Sequence, residues 1–122
     1  MVTLTEETGG IVSLEFNQGE TSVFHRDIFT DPGKTANADL TGYLARGMGR
    51  AQYGSLAAYP MLFSISCTIS GNRVTCAIPP SESTAISVLS GVYDIEIYSA
   101  TDAEIVYRVQ QGTWTMNPEV TL

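Results

Sequence analysis

Residues 63–78 read FSISCTISGNRVTCAI, and the fold follows from them. Apolar side chains alternate on the way in, at Phe63, Ile65, Cys67 and Ile69, and again on the way out, at Val74, Cys76 and Ile78. Gly71 and Asn72 stand between the runs, and both residue types tolerate positive φ. This is the pattern of a β-hairpin with a two-residue turn. With that turn, Ser70 faces Arg73, Ile69 meets Val74, Thr68 meets Thr75, Cys67 meets Cys76 and Ile65 meets Ile78. A one-residue slip would send the apolar set to the wrong face, so pattern and turn select one register. The opposite face (Ser64, Ser66, Thr68, Arg73, Thr75, Ala77) is mostly polar, as in an antiparallel sheet buried on one side.

Upstream, residues 11–16, IVSLEF, alternate with Val12, Leu14 and Phe16 on one face and end in the turn Asn17-Gln18-Gly19-Glu20. Residues 21–29 form a second strand, with Phe24, Arg26 and Ile28 on one face and Val23, His25 and Asp27 on the other. Which face is inward is undecided. Residues 30–39 are a loop opened by the turn signal Asp31-Pro32-Gly33. In residues 40–51, Gly42, Gly47 and Gly49 argue against a helix and predict a strand with glycines at closely packed or bulged positions. Residues 52–60 are a connector whose Tyr53, Leu56 and Tyr59 lie against the domain itself or against a partner; the first is preferred, and the three are kept as candidate interface residues. Residues 1–10, MVTLTEETGG, are an arm with little core of its own, either frayed or docked on a neighbouring subunit, with fraying preferred.

Downstream, Pro79-Pro80 end the hairpin. Residues 81–90 carry candidate caps Ser81 and Ser83 and apolar Ile86 and Leu89, predicting one or two helical turns stopped by Gly91. Residues 92–99 form a strand with Tyr93, Ile95 and Ile97 inward. Residues 104–110 are its antiparallel partner, with Ile105, Tyr107 and Val109 inward. Gly112 breaks the alternation, and Trp114 and Met116 resume it. Seven short strands with turn signals at this spacing predict an all-β antiparallel β-sandwich with one short helical turn, as a single domain over residues 11–122.

The 122 residues suit one core, and 43% hydrophobic against 16% charged residues is a folded composition. The formal net charge of −7 repels nucleic-acid phosphates and anionic membranes, so neither is an expected partner. No stretch reads as a signal peptide or a membrane span, which predicts synthesis in a cytoplasm. The two cysteines oppose each other in the hairpin at a non-hydrogen-bonded position, counted from the turn. Cα atoms there are about 4.5 Å apart, at the short end of disulfide reach. A cross-strand disulfide and two reduced, packed thiols both remain open, with a cytoplasmic origin favouring the second.

No catalytic, cofactor or metal site is expected. Two cysteines and one distant histidine fall short of the roughly four ligands of a zinc site. His25 and Asp27 share a strand face, but no G-x-S-x-G or similar nucleophile motif accompanies them. Asp31 and Asp39 lack EF-hand spacing. Gly47-x-Gly49 lacks the third glycine of a dinucleotide fingerprint. Asp94 and Glu96 share a face with Tyr98 and read as solvated charges. The chain is therefore expected not to be an enzyme.

Four segments occur in a recognisable order: Asp39-Leu40-Thr41-Gly42-Tyr43-Leu44-Ala45 with Met48 and Arg50, then Gly91-Val92-Tyr93-Asp94-Ile95-Glu96, then Gly112-Thr113-Trp114-Thr115-Met116, and Pro118-Glu119-Val120-Thr121. The set resembles small virion-associated structural proteins of tailed bacteriophages. It is similar to the N-terminal immunoglobulin-like domain of upper baseplate proteins in phages of Gram-positive bacteria. The resemblance implies an immunoglobulin-like sandwich, present in many copies in the virion and bound to other virion proteins as a homo-oligomer or symmetric assembly. It places the chain in a tail, baseplate or fibre connector, with head decoration as the alternative; a glycan- or peptide-binding module is the reading from another class. It implies no active site. Tyr43, Tyr93 and Trp114 are expected to fill the space between the sheets.

Overall fold

The computed structural model describes residues 3–8, 10–31 and 33–119. Its strands are β1 (Thr3–Thr8), β2 (Ile11–Asn17), β3 (Ser22–Asp27), β4 (Tyr43–Arg50), β5 (Phe63–Ser70), β6 (Arg73–Ile78), β7 (Ser90–Ser99) and β8 (Val106–Asn117), with one helix, α1 (Pro80–Ser83). No helix among the described residues is long and apolar enough to cross a membrane. Hydrogen bonds link the strands in the order β1-β2-β8-β7-β4-β5-β6-β3. β5 turns this ribbon into two layers. Its first residues, Phe63 to Ile65, pair with β4, and from Ser66 onward it pairs with β6. The result is an all-β, immunoglobulin-like sandwich, antiparallel except for β2, which runs parallel to β8.

The hairpin register is the one expected from Cys67↔Cys76 to Ser70↔Arg73. Only Gly71 of the two turn residues takes positive φ, at 62°. The expected rung Ile65–Ile78 is absent, because the strands part at the bend: Ile65 pairs with Gly47 and Ile78 with Ser22. One layer buries Leu14, Phe16, Tyr93, Ile95, Ile97, Trp114 and Met116; the other buries Phe24, Val74, Cys76 and Ile78. Phe63 sits at the bend with its ring edge-on to Trp114, 5.1 Å between centroids. β3 presents Ser22 and Phe24 inward and Val23 and His25 to solvent, which settles its facing.

The structure departs from the sequence expectations at five further places. Thr3–Thr8, expected as part of an arm, forms β1, antiparallel to β2; Met1, Val2 and Gly9 lie outside the described residues. Ser81 and Ser83 do not cap α1, whose N-cap is Pro79 with no side-chain cap. Ser83 is instead buried and its Oγ accepts the Gly19 amide, at 2.9 Å. Gly91 does not stop a helix, because it lies inside β7. A bulge pairs Ile95 with Gln110 but Glu96 with Arg108, making Val109 the extra residue. That shift brings Gln110 into the core opposite Ile95; Tyr107 stays on the face of its partner Ile97, but it and Ile105, both expected inward, are exposed near the start of β8. Tyr43, expected to be core, is only partly buried and stacks at a tilt on Tyr107, with ring centroids 6.3 Å apart.

Two buried glutamines hold the sandwich by hydrogen bonds. Gln110 Nε2 donates to Tyr93 Oη (3.0 Å), which donates to the Val12 carbonyl (2.7 Å). Gln18, in the β2–β3 turn, donates to the Ser83 and Ile86 carbonyls and accepts the Glu119 amide. A buried amide left without partners is costly, and each of these finds them in segments far away in sequence.

Candidate interaction surface

Side chains alternate across the extended strands, so β4, β7 and β8 turn one set outward as cross-strand rows. Leu44, Tyr98 and Val106 form an apolar row at one end. Arg46, Glu96 and Arg108 form the next, and Met48, Asp94 and Gln111 follow. Arg46 bonds Glu96 (3.0 Å), with its guanidinium 4.4 Å from the Tyr98 ring centroid. Arg108 lies 3.5 Å from Asp94 and bonds Gln111. Asp94 and Glu96 thus share a face, as the alternation requires, and each is met by an arginine of a neighbouring strand. Burial pushes the Asp94 carboxyl above the usual aspartate range, the neighbouring Glu96 adds to this, and Arg108 opposes it.

The connector after β4 is wrapped around one guanidinium. Arg50 donates to the carbonyls of Tyr59 (2.8 Å), Gly54 (2.6 Å) and Ser55 (3.3 Å). Tyr59 folds its partly buried ring against Gly54. The loop therefore lies against its own domain. It leaves Tyr53 and Leu56 exposed, at 54% and 57% of their surface, with Met61 nearby in sequence at 50%. Tyr53 and Leu56 border a cleft of about 170 Å³, also lined by Met48, Arg50, Val92, Asp94 and Glu96. Of the three candidate interface residues, Tyr53 and Leu56 are accessible and Tyr59 anchors the loop. The Arg50 clamp and the row Leu44–Tyr98–Val106 were missed in sequence. Strand alternation contained the row, but nothing local marks Arg50 as a clamp.

The other sequence candidates are apart from this surface. Asp27 is bound by Arg73 (2.8 Å), and that hydrogen bond holds its carboxyl below the usual range. Asp31 accepts the Thr35 hydroxyl and the Thr35 and Ala36 amides, and Asp39 accepts the Thr41 hydroxyl and amide. Both are turn-forming carboxylates. Among the described residues no three His, Cys, Asp or Glu side chains gather as a metal site. Cys67 and Cys76 are free thiols, Sγ to Sγ 3.7 Å.

No family model matches the chain. No curated protein matches it either. Among solved structures, the chain is similar to the extracellular domain of the voltage-gated sodium channel beta4 subunit, described as a parallel homodimer with a role in cell–cell adhesion. The likeness has a TM-score of 0.44 and 8% identity, and covers 97% of this chain and 100% of that one. At that level it bears on no residue, partner or activity of this protein.

Proposed function

We propose that this chain is a non-enzymatic structural protein of a tailed-phage virion, made in the host cytoplasm and acting as a multi-copy protein–protein interaction domain of the tail, baseplate or fibre connector. The observation that carries this reading is the convergence of three separate motif segments on one contact. The Trp114 indole donates to the Arg50 carbonyl at 3.1 Å. Gly91 lies where a Cβ would strike that same carbonyl and the Trp114 ring. Residues that a fold-level resemblance needs in order are thus joined in space. The outward face of β4, β7 and β8, with the exposed Tyr53 and Leu56, is the surface through which such a domain would meet its neighbours.

The test is light scattering on the isolated chain, followed by mixing with separated heads and tails of its own virus. Uptake onto tails, or a trimer or hexamer in isolation, is the expected result. Uptake onto heads alone would move the protein to capsid decoration. A monomer taken up by neither would end the virion reading and favour glycan or peptide binding at the cleft beside Tyr53. That second reading expects glycan-array binding that Tyr53→Ala abolishes.

A further inference from the structure

Cys67 and Cys76 are direct partners across the β5–β6 ladder, with rungs on both sides, Ser66↔Ala77 and Thr68↔Thr75. Their sulfurs are 3.7 Å apart and unbonded. Directly opposed residues of an antiparallel pair have Cα atoms about 4.5–5.5 Å apart, within the disulfide range. The two sulfurs can therefore bond without either strand sliding. Their accessibility differs: Cys76 is 1% exposed, whereas Cys67 is only partly buried. A solvent-borne reagent meets Cys67 first.

We propose that Cys67 and Cys76 form a thiol–disulfide modification site whose co-substrate is a low-molecular-weight disulfide. Cys67 is the attacking thiol. The hydrogen bond shared by the two sulfurs lowers the Cys67 thiol, while that bond and burial push the Cys76 thiol up. The Cys67 thiolate attacks one sulfur of the small disulfide. The small S–S bond breaks, a mixed disulfide forms on Cys67, and one small thiolate leaves to take a proton from water. Cys76 then gives its proton to solvent and attacks the Cys67 sulfur. The mixed disulfide breaks and the second small thiol departs. The cysteine pair has lost two electrons and the small disulfide has gained them. The new bond staples the hairpin in the stretch where β5 has left β4 for β6. This inference is independent of the virion assignment.

The experiment incubates the native chain with oxidised glutathione, quenches with acid, and reads intact mass and alkylatable thiols. The expected product is a monomer lighter by two hydrogens, with no free thiol and no retained glutathione. Cys76→Ala should stop at one glutathione on Cys67. Cys67→Ala should leave Cys76 unmodified over the same time, with circular dichroism confirming that each variant is folded. Wild-type chain that keeps both thiols, retains glutathione, or cross-links between molecules would overturn the proposal. Modification of Cys76 in Cys67→Ala at the wild-type rate would overturn the assigned order of attack. The wild-type result stands even if a variant fails to fold.

Discussion

Trp114 has no exposed surface, and segments far apart in sequence meet on it: Phe16 and Phe63 by ring contact, Gly91 by close approach, Arg50 by hydrogen bond. Gly91→Ala places a methyl against the Arg50 carbonyl, which is strand backbone and gives little. It should cost about 1–3 kcal/mol of stability in urea unfolding. Trp114→Ala should cost more, about 3–5 kcal/mol, by opening a cavity at the bend. Asp94 gives a pH prediction. Its folded pKa is raised above the unfolded value, so the folded state binds the proton more tightly. Its ionised form opposes folding at neutral pH. Stability should therefore rise as pH falls through that raised value toward the ordinary aspartate value of about 3.9. Asp94→Asn should remove this rise from a plot of Tm against pH; an unchanged rise would assign it to another group.

At the scale of elements, two glycines separate backbone from packing. Gly71 carries positive φ in the hairpin turn, with no atom within 4 Å of where its Cβ would stand. Gly71→Ala should cost about 1–2 kcal/mol, all of it from backbone conformation. Gly49 has ordinary φ, but a Cβ there would enter the Phe63 ring. Gly49→Ala should cost a similar amount by displacing that ring, and Phe63→Leu on the same chain should recover part of it, measured as a double-mutant cycle. No recovery would mean that Gly49 is not held by Phe63. The strand at Tyr43–Arg50 was legible because three glycines exclude a stable helix, and the hairpin because alternation and turn agree. The bulge at Val109 was not legible. Its cause is a buried amide, Gln110, matched to Tyr93 on the next strand, and local alternation has no access to that match.

At the scale of the molecule, a chain of net charge −7 carries three of its six basic residues, Arg46, Arg50 and Arg108, on the outward face of β4, β7 and β8. Their partners there are Glu96, Asp94 and backbone carbonyls, so this face is less acidic than the rest. Association through it should survive the general repulsion between acidic copies better than association elsewhere. Leu56→Glu should therefore lower the assembled fraction seen by light scattering without lowering Tm, since Leu56 is mostly exposed. If assembly is unchanged, the contact lies elsewhere on the sandwich.

The sequence by itself determined the strands of the core, the hairpin register, the inward set Tyr93, Ile95, Ile97, Trp114 and Met116, and the all-β class. These are set by neighbours along one chain, where alternation and turn chemistry act directly. Only the tertiary structure decided where β5 leaves one layer for the other, which glutamines enter the core, and that Arg50 ties the connector down while Tyr53 and Leu56 stay exposed. The first two depend on hydrogen bonds and ring contacts between residues of different strands, which exist only once the two layers have closed on each other; the Arg50 contacts span only 4 to 9 residues, but nothing in the local pattern marks which carbonyls its guanidinium takes.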